Sequence, residues 1–190
     1  MIAPLPPVMV SCGTMEHPNI LTIAWTGIIN TIPPKTYISV RPNRYSYPLI
    51  KETGEFVLNL TPASLVKAAD FCGVRSGKEI DKFAHCRLTP VAADEVSAPM
   101  IAECPLCMEC RVTEVVPLGS HDMFLADILA VHVDEALVDE AGKLHLDRAN
   151  LAAFAHGEYF ELGKKLGGFG FSVRKKPKKK SGKSKKHSKR

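Results

Sequence analysis

Apolar positions in this chain come in short runs of four to seven, separated by Gly, Pro and charged residues, and the pattern predicts strands more than helices. The densest unit spans residues 18–48. Ile20, Leu21, Ile23 and Trp25 are apolar and β-prone, as are Tyr37, Ile38 and Val40. Pro33 and Pro34 cannot sit inside a central strand, so they mark the start of the second strand. The segment Trp25-Thr26-Gly27-Ile28-Ile29-Asn30 is expected to be a polar turn between the two.

Further strands are expected at Val8 to Ser11, Phe56 to Leu60, Leu106 to Val116 and Met123 to Val133. In the third of these, Cys110, Val112 and Glu114 would face one way and Glu109, Arg111 and Thr113 the other. Tyr47 to Thr53 reads as a short helix closed by Gly54. Thr61-Pro62 reads as a capped helix start, followed by Leu65, Val66, Ala69 and Cys72 at helical spacing and a stop at Gly73. Ser76 to Phe83 is expected to be a loop leading into one more helical turn. Asp139 to Gly142 is a turn, and Arg148 to Lys165 is expected to contain helical pieces ending at Gly163 and Gly167. Many strands and few helices in one domain indicate a closed or nearly closed β-barrel.

Charge divides the chain. Residues 174–190 hold 11 of the 25 basic residues and no acid, leaving 14 basic against 20 acidic residues in the rest. The basic balance therefore belongs to a tail, expected to be disordered, and residues 1–173 form one domain. That acidic body gives no electrostatic case for nucleic-acid binding. The tail is suited to polyanions in a non-specific way, since it has no aromatic residue for base stacking. No apolar run reaches the roughly 20 residues of a membrane helix. The six cysteines, without a secretory signal before them, predict free thiols and a cytoplasmic setting.

Candidate chemistry gathers in residues 24–46. An apolar platform is followed by amide donors, then by Arg41, Arg44, Tyr45 and Ser46. Such an order suits a flat heterocycle carrying a phosphate at one end, because a guanidinium can donate two parallel charge-assisted bonds to an oxyanion. Neither a nucleophilic triad nor an acid–base pair is visible, and no GxGxxG follows a strand, so a Rossmann nucleotide site is not expected.

The blocks NILTIAWTG, PPKTYISVRPNRYSYPLI, GEFVLNL, SGKEIDKF, GSHDMFLADI and GEYFELGKKLGGFGFSV, in that order, resemble the flavin reductase-like family of FMN-binding split barrels, which includes the flavoredoxins. The resemblance covers roughly residues 4–173. It implies a mainly β split barrel with Greek-key connections and a few short peripheral helices, assembled as a homodimer with the flavin near the subunit interface. It implies FMN as cofactor and NAD(P)H as transient co-substrate, with a small molecule or a redox protein as electron acceptor. A flavin-free interaction protein acting through the basic tail is a third reading.

Onto this chain the resemblance carries Ala24, Trp25, Thr26, Gly27 and Ile28 as the ring-edge segment, with Thr26 and Asn30 as donors to the pyrimidine oxygens. Ser39, Arg41, Arg44, Tyr45 and Ser46 fall to the phosphate and ribityl chain, and Lys82 near the phosphate or ring. His121 falls near the nicotinamide or the open face of the flavin. Hydride transfer needs positioning more than acid–base chemistry, which fits the absence of a recognisable pair. Cys104, Cys107 and Cys110 have iron–sulfur-like spacing, but a matching fourth ligand is missing and the segment reads as a core strand, so no metal is expected.

Overall fold

The computed structural model describes residues 2–174; the Lys-rich run from residue 175 lies outside the described residues. Seven antiparallel strands make one sheet: β1 (Val8–Gly13), β2 (Pro18–Ile23), β3 (Thr26–Thr31), β4 (Pro34–Val40), β5 (Glu55–Leu60), β8 (Leu106–Pro117) and β9 (Asp122–Val133). Their order is β2-β1-β5-β8-β9-β4-β3. The two edge strands, β2 and β3, are consecutive in the chain and joined only by Ala24 and Trp25. The sheet thus curls until its edges approach without pairing along their length. The β4–β3 pairing extends one residue into the link between β2 and β3, where Ser39 N–H donates to the Trp25 carbonyl at 2.9 Å. The barrel is split between the β2 and β3 edges, as the sequence led us to expect. The jump from β4 to β5, beside β1, gives the crossed connections of a Greek key.

Strand alternation sorts side chains into two cores. Val8, Val10, Cys12, Leu21, Phe56, Leu58 and Phe124 fill the barrel. Met9, Ile20 and Val57, one residue out of phase, face outward and are covered. The cover is α2 (Val66–Val74), α3 (Lys82–Cys86) and the segment 88–104, which holds the two-residue ladder of β6 (Pro90–Val91) and β7 (Met100–Ile101). Strands β1 and β5 are therefore buried on both faces, which explains their near-continuous apolar sequence. Helix α1 (Ser46–Thr53) drives Ile50 into the barrel and stops at Gly54, whose φ of 68° gives the left-handed cap.

Buried polar groups tie the cover down. Asn59 donates to the Met9 carbonyl at 2.9 Å and to Ser11 Oγ at 2.8 Å, and its Oδ1 accepts the Ile101 N–H at 2.9 Å. Glu109, fully buried, accepts N–H bonds from Asp94, Glu95 and Val96, and meets His132 Nε2 at 2.5 Å. Burial opposes ionisation of Glu109, but the backbone donors and the imidazole outweigh it and hold its pKa below the ordinary carboxylate value.

Four sequence expectations are corrected. The segment Trp25 to Asn30 is not a turn: Thr26–Thr31 is strand β3, paired with β4, and the turn comes at Ile32 and Pro33. Gly27 is tolerated inside this edge strand because the Tyr37 ring packs over it. Thr61 caps nothing; its hydroxyl has no partner, Pro62 precedes a 3-10 turn (Ala63–Leu65), and α2 begins only at Val66. In β8, irregular register after Val112 turns Glu114 out to solvent and packs Val115 inward instead. Residues 148–165 contain the hairpin β10 (Ala152–Ala155) and β11 (Glu158–Glu161), turning at His156 and Gly157, both with positive φ.

Candidate functional site

A cleft of about 480 Å³ opens at the split of the barrel, within the usual range of roughly 300–1,000 Å³ for small-molecule and cofactor pockets. One wall is the free edge of β2 and the link after it, Thr22 to Trp25. The facing wall is the end of β4 and its turn, Ser39 to Arg41, with Arg44. His121, at the turn between β8 and β9, closes one end, and α2 contributes Asp70, Gly73 and Val74. Phe154, Gly157 and Tyr159 of the β10–β11 hairpin cover the opening.

The β2 wall is rich in unused donors. No strand pairs with the outer edge of β2. The Ile20 carbonyl on that edge is taken by Lys82 Nζ at 2.6 Å. By strand alternation Thr22 sends its own N–H and C=O to the same side. The Thr22 hydroxyl is buried and has no partner. A buried unpaired hydroxyl is costly, and a bound ligand would satisfy it.

The opposite corner is cationic. Arg41 is exposed, Arg44 is half-buried, and among the described residues neither forms a salt bridge with a carboxylate. Arg44 instead donates through Nη2 to the Gly73 carbonyl. Burial, then the neighbouring Arg41 charge, push the Arg44 guanidinium below its ordinary value. Two neighbouring guanidiniums without a carboxylate partner make this corner a candidate anion site.

Beside the cleft lies a small pocket of about 70 Å³, sharing Leu21 and Arg44 with it. A single water needs only about 10–15 Å³ of such space, so an oxyanion has room. Tyr45, Ser46, Lys82, Arg75, Ser76 and Gly77 line it. Ser46 Oγ accepts from Asn19 Nδ2 at 2.7 Å. Lys82 is buried, and its ammonium already donates to the Ile20 and Cys72 carbonyls at 2.6 and 2.9 Å. Burial pushes Lys82 below the ordinary lysine value. Gly77 packs so tightly that a Cβ there would lie 2.0 Å from Asn19 Oδ1 and 2.9 Å from Tyr45 Cδ1.

Of the residues singled out from the sequence, Ala24, Trp25, Ser39, Arg41, Arg44 and His121 share the cleft. Tyr45, Ser46 and Lys82 share the side pocket. Thr26, Gly27, Ile28 and Asn30 are not brought to either, because they run away along β3. Thr26 Oγ1 donates to the Tyr37 carbonyl at 2.6 Å, and Asn30 Nδ2 to the Pro33 carbonyl at 2.9 Å. Thr22, Asp70, Gly73, Phe154 and Tyr159 were not anticipated. Of these, only the polar Thr22 amid the apolar run of β2 carried a signal in the sequence.

The three closely spaced cysteines do not converge. Cys104 and Cys107 pack in the outer core, and Cys110 in the barrel. The acidic and histidine side chains of Asp94, Glu109 and His132 lie within 4.8 Å of one another, but Glu109 is fully engaged in bracing its loop.

Residues 2–163 match the family model described as flavin reductase like domain. The chain belongs to that family, and the cofactor the family implies is a flavin. In structure it is similar to flavoredoxin of Desulfovibrio vulgaris (Miyazaki F), with a TM-score of 0.85 and 30% identity over 92% of this chain and 95% of that one. In sequence it is 34% identical over 125 residues to an uncharacterized protein of Archaeoglobus fulgidus, covering 66% of this chain and 71% of the other. It is also 26% identical over 128 residues to the NADPH-flavin oxidoreductase of Streptomyces viridifaciens, covering 65% of each.

The residues present fit a flavin. The orphan Thr22 hydroxyl and the open β2 edge offer donors to a ring edge, and the paired guanidiniums and the side pocket offer charge to a phosphate.

Proposed function

We propose that this chain is an FMN-dependent oxidoreductase that accepts reducing equivalents from NAD(P)H and passes them to free flavin or another small acceptor. The observation that carries this reading is the small cationic pocket set directly beside the cleft, the two sharing Leu21 and Arg44 as lining. A pocket that small suits a terminal phosphate monoester, which favours FMN.

A bound flavin supplies the ring that accepts a hydride and gives up electrons singly or in pairs. The chain's own part is to hold and position. Arg41, Arg44 and Ser39 would fix the phosphate and sugar end, with Tyr45 and Ser46 in the side pocket. The buried Lys82 adds positive charge behind it. Thr22 and the backbone from Ala24 to Trp25 would hold the ring edge. His121 and the hairpin residues Phe154 and Tyr159 stand at the open side, where a nicotinamide would stack. Tyr159 donates to Asp70 Oδ1 at 3.2 Å across that opening. Burial, then the Asp70 charge, push the Tyr159 phenol up to about 12, so it remains a neutral donor.

A second reading is favoured by the likeness to flavoredoxin: the same flavin, reduced by a protein rather than by a nicotinamide. We further propose a homodimer. Support comes from Trp25 at the cleft, from Ile28, Ile29 and Ile32 in and just after the β3 edge, and from Leu166, Phe169 and Val173, all apolar and exposed. Purified protein loaded with FMN and mixed with NADH or NADPH should oxidise the nicotinamide when free FMN is added. Bound FMN that neither donor reduces, but reduced ferredoxin does, would overturn the reductase reading in favour of the carrier.

A further inference from the structure

We propose that Cys72 and Cys86 form a peroxide-responsive thiol pair that closes to a disulfide, cross-linking α2 to α3 behind the cleft. Their sulfurs lie 3.9 Å apart although the residues come from different helices. A disulfide needs about 2.05 Å, so the atoms must approach by roughly 2 Å. Helix α3 is only five residues long, ending at Arg87 with φ of 55°, and a short displacement of it brings the sulfurs together.

The surroundings assign each sulfur a part. Five of the six cysteines are buried and Cys86 alone is half-buried, so an oxidant reaches it first. Cys72, fully buried, is the resolving partner. Burial, then the Cys86 charge, push its thiol up to about 12, so it does not compete as the initial nucleophile. The Lys82 ammonium, four residues before Cys86 and bonded to the Cys72 carbonyl at 2.9 Å, places positive charge beside both sulfurs.

The step balances with hydrogen peroxide as the oxidant. The Cys86 thiolate attacks one peroxide oxygen, an S–O bond forms, and the O–O bond breaks, releasing hydroxide that is protonated to water. The Cys72 sulfur then attacks the Cys86 sulfur, the S–S bond forms, and the second oxygen leaves as water with the Cys72 proton. Two thiols lose two electrons and one peroxide becomes two waters. A dithiol reductant reverses the change.

The pair is wired to the cleft through the backbone. Gly73, directly after Cys72, offers its carbonyl to Arg44 and lines the cleft. Closing the disulfide pulls on that residue, so the thiol state adjusts the grip on the phosphate end, a consequence that rests on the flavin reading above.

Full-length protein treated with stoichiometric hydrogen peroxide, denatured, alkylated and mapped by mass spectrometry tests the claim. The expected result is a Cys72–Cys86 linked peptide, reversed by dithiothreitol, with the other four cysteines alkylated. Cys72→Ala should leave Cys86 trapped as a sulfenic acid that reacts with dimedone. Cys86 converted to sulfinic acid while Cys72 stays alkylatable would overturn the proposal, as would no oxidation of either. FMN titration of the two forms should show dissociation constants differing by about threefold or more. Equal affinities would overturn the coupling to the cleft. If FMN binds neither form, the flavin reading fails while the linked peptide still stands.

Discussion

The Arg44 guanidinium donates to the backbone carbonyl of Gly73, tying the turn after β4 to the helix that walls the cleft. That bond aims a half-buried cation at the junction between the cleft and its side pocket. A long cation on a turn would otherwise spread over solvent; here one backbone oxygen fixes it, and the ordering cost is met before any ligand arrives.

Replacing Arg41 and Arg44 by Ala should lower FMN affinity by an order of magnitude or more with the fold intact. Each charge-assisted bond to a phosphate contributes roughly 1.5–3 kcal/mol, and about 1.4 kcal/mol is tenfold. Arg44→Ala alone should also cost about 1 kcal/mol of stability through the lost Gly73 bond. Flavin fluorescence titration and thermal melts check both; unchanged affinity in the double variant would remove the phosphate assignment.

Gly77→Ala should weaken the protein and its flavin site together. The new methyl would strike Asn19 Oδ1, whose amide holds Ser46 in place, and the Tyr45 ring. Overpacking of this kind costs about 1–3 kcal/mol. A melt unchanged from wild type would show that the pocket floor is looser than its geometry implies.

His121→Ala should separate binding from turnover. The imidazole lines the cleft, is bonded among the described residues only to Ser120 Oγ at 3.0 Å, and braces nothing buried. FMN affinity should move by less than about threefold while kcat/KM for NAD(P)H falls further. Loss of FMN binding with unchanged turnover per bound flavin would place this side chain against the cofactor instead.

Acid should unfold the protein partly through Glu109. Its folded-state pKa is depressed, so its contribution is present above the unfolded carboxylate value and is lost as pH falls through the lower folded value. Glu109→Gln should lower the melting temperature at neutral pH and flatten its fall on acidification below about pH 4. Parallel curves for variant and wild type would contradict the assignment.

Much of the barrel was legible because its strands obey simple rules. The double burial of β1 and β5 shows as near-continuous apolar runs, and Gly54 marks the end of α1 through its left-handed φ. Strand β3 was hidden because it is an exposed edge carrying Gly27 and Asn30, residues whose local preference is for turns. The β10–β11 hairpin was hidden because it is short, and its turn is His156-Gly157 rather than a familiar Asn-Gly. For the cleft and its side pocket, Arg41, Arg44, Tyr45 and Ser46 were legible as a basic, hydroxyl-bearing corner, and Ser39 through the family resemblance. Asp70, Gly73 and Tyr159 were not, since they reach the cleft from elements 30 to 120 positions away and only the closed-up chain brings them there. Lys82 illustrates a further limit: charge suggests a surface residue, yet two backbone carbonyls suffice to bury it.

The most direct measurement compares FMN with riboflavin, which carries the same ring without the phosphate, by titrating each into flavin-free protein. Anchoring of an anionic end by Arg41, Arg44 and the side pocket predicts that FMN binds at least about tenfold more tightly, with the difference shrinking as salt is raised. Equal affinity for the two, or tighter binding of riboflavin, would contradict the account.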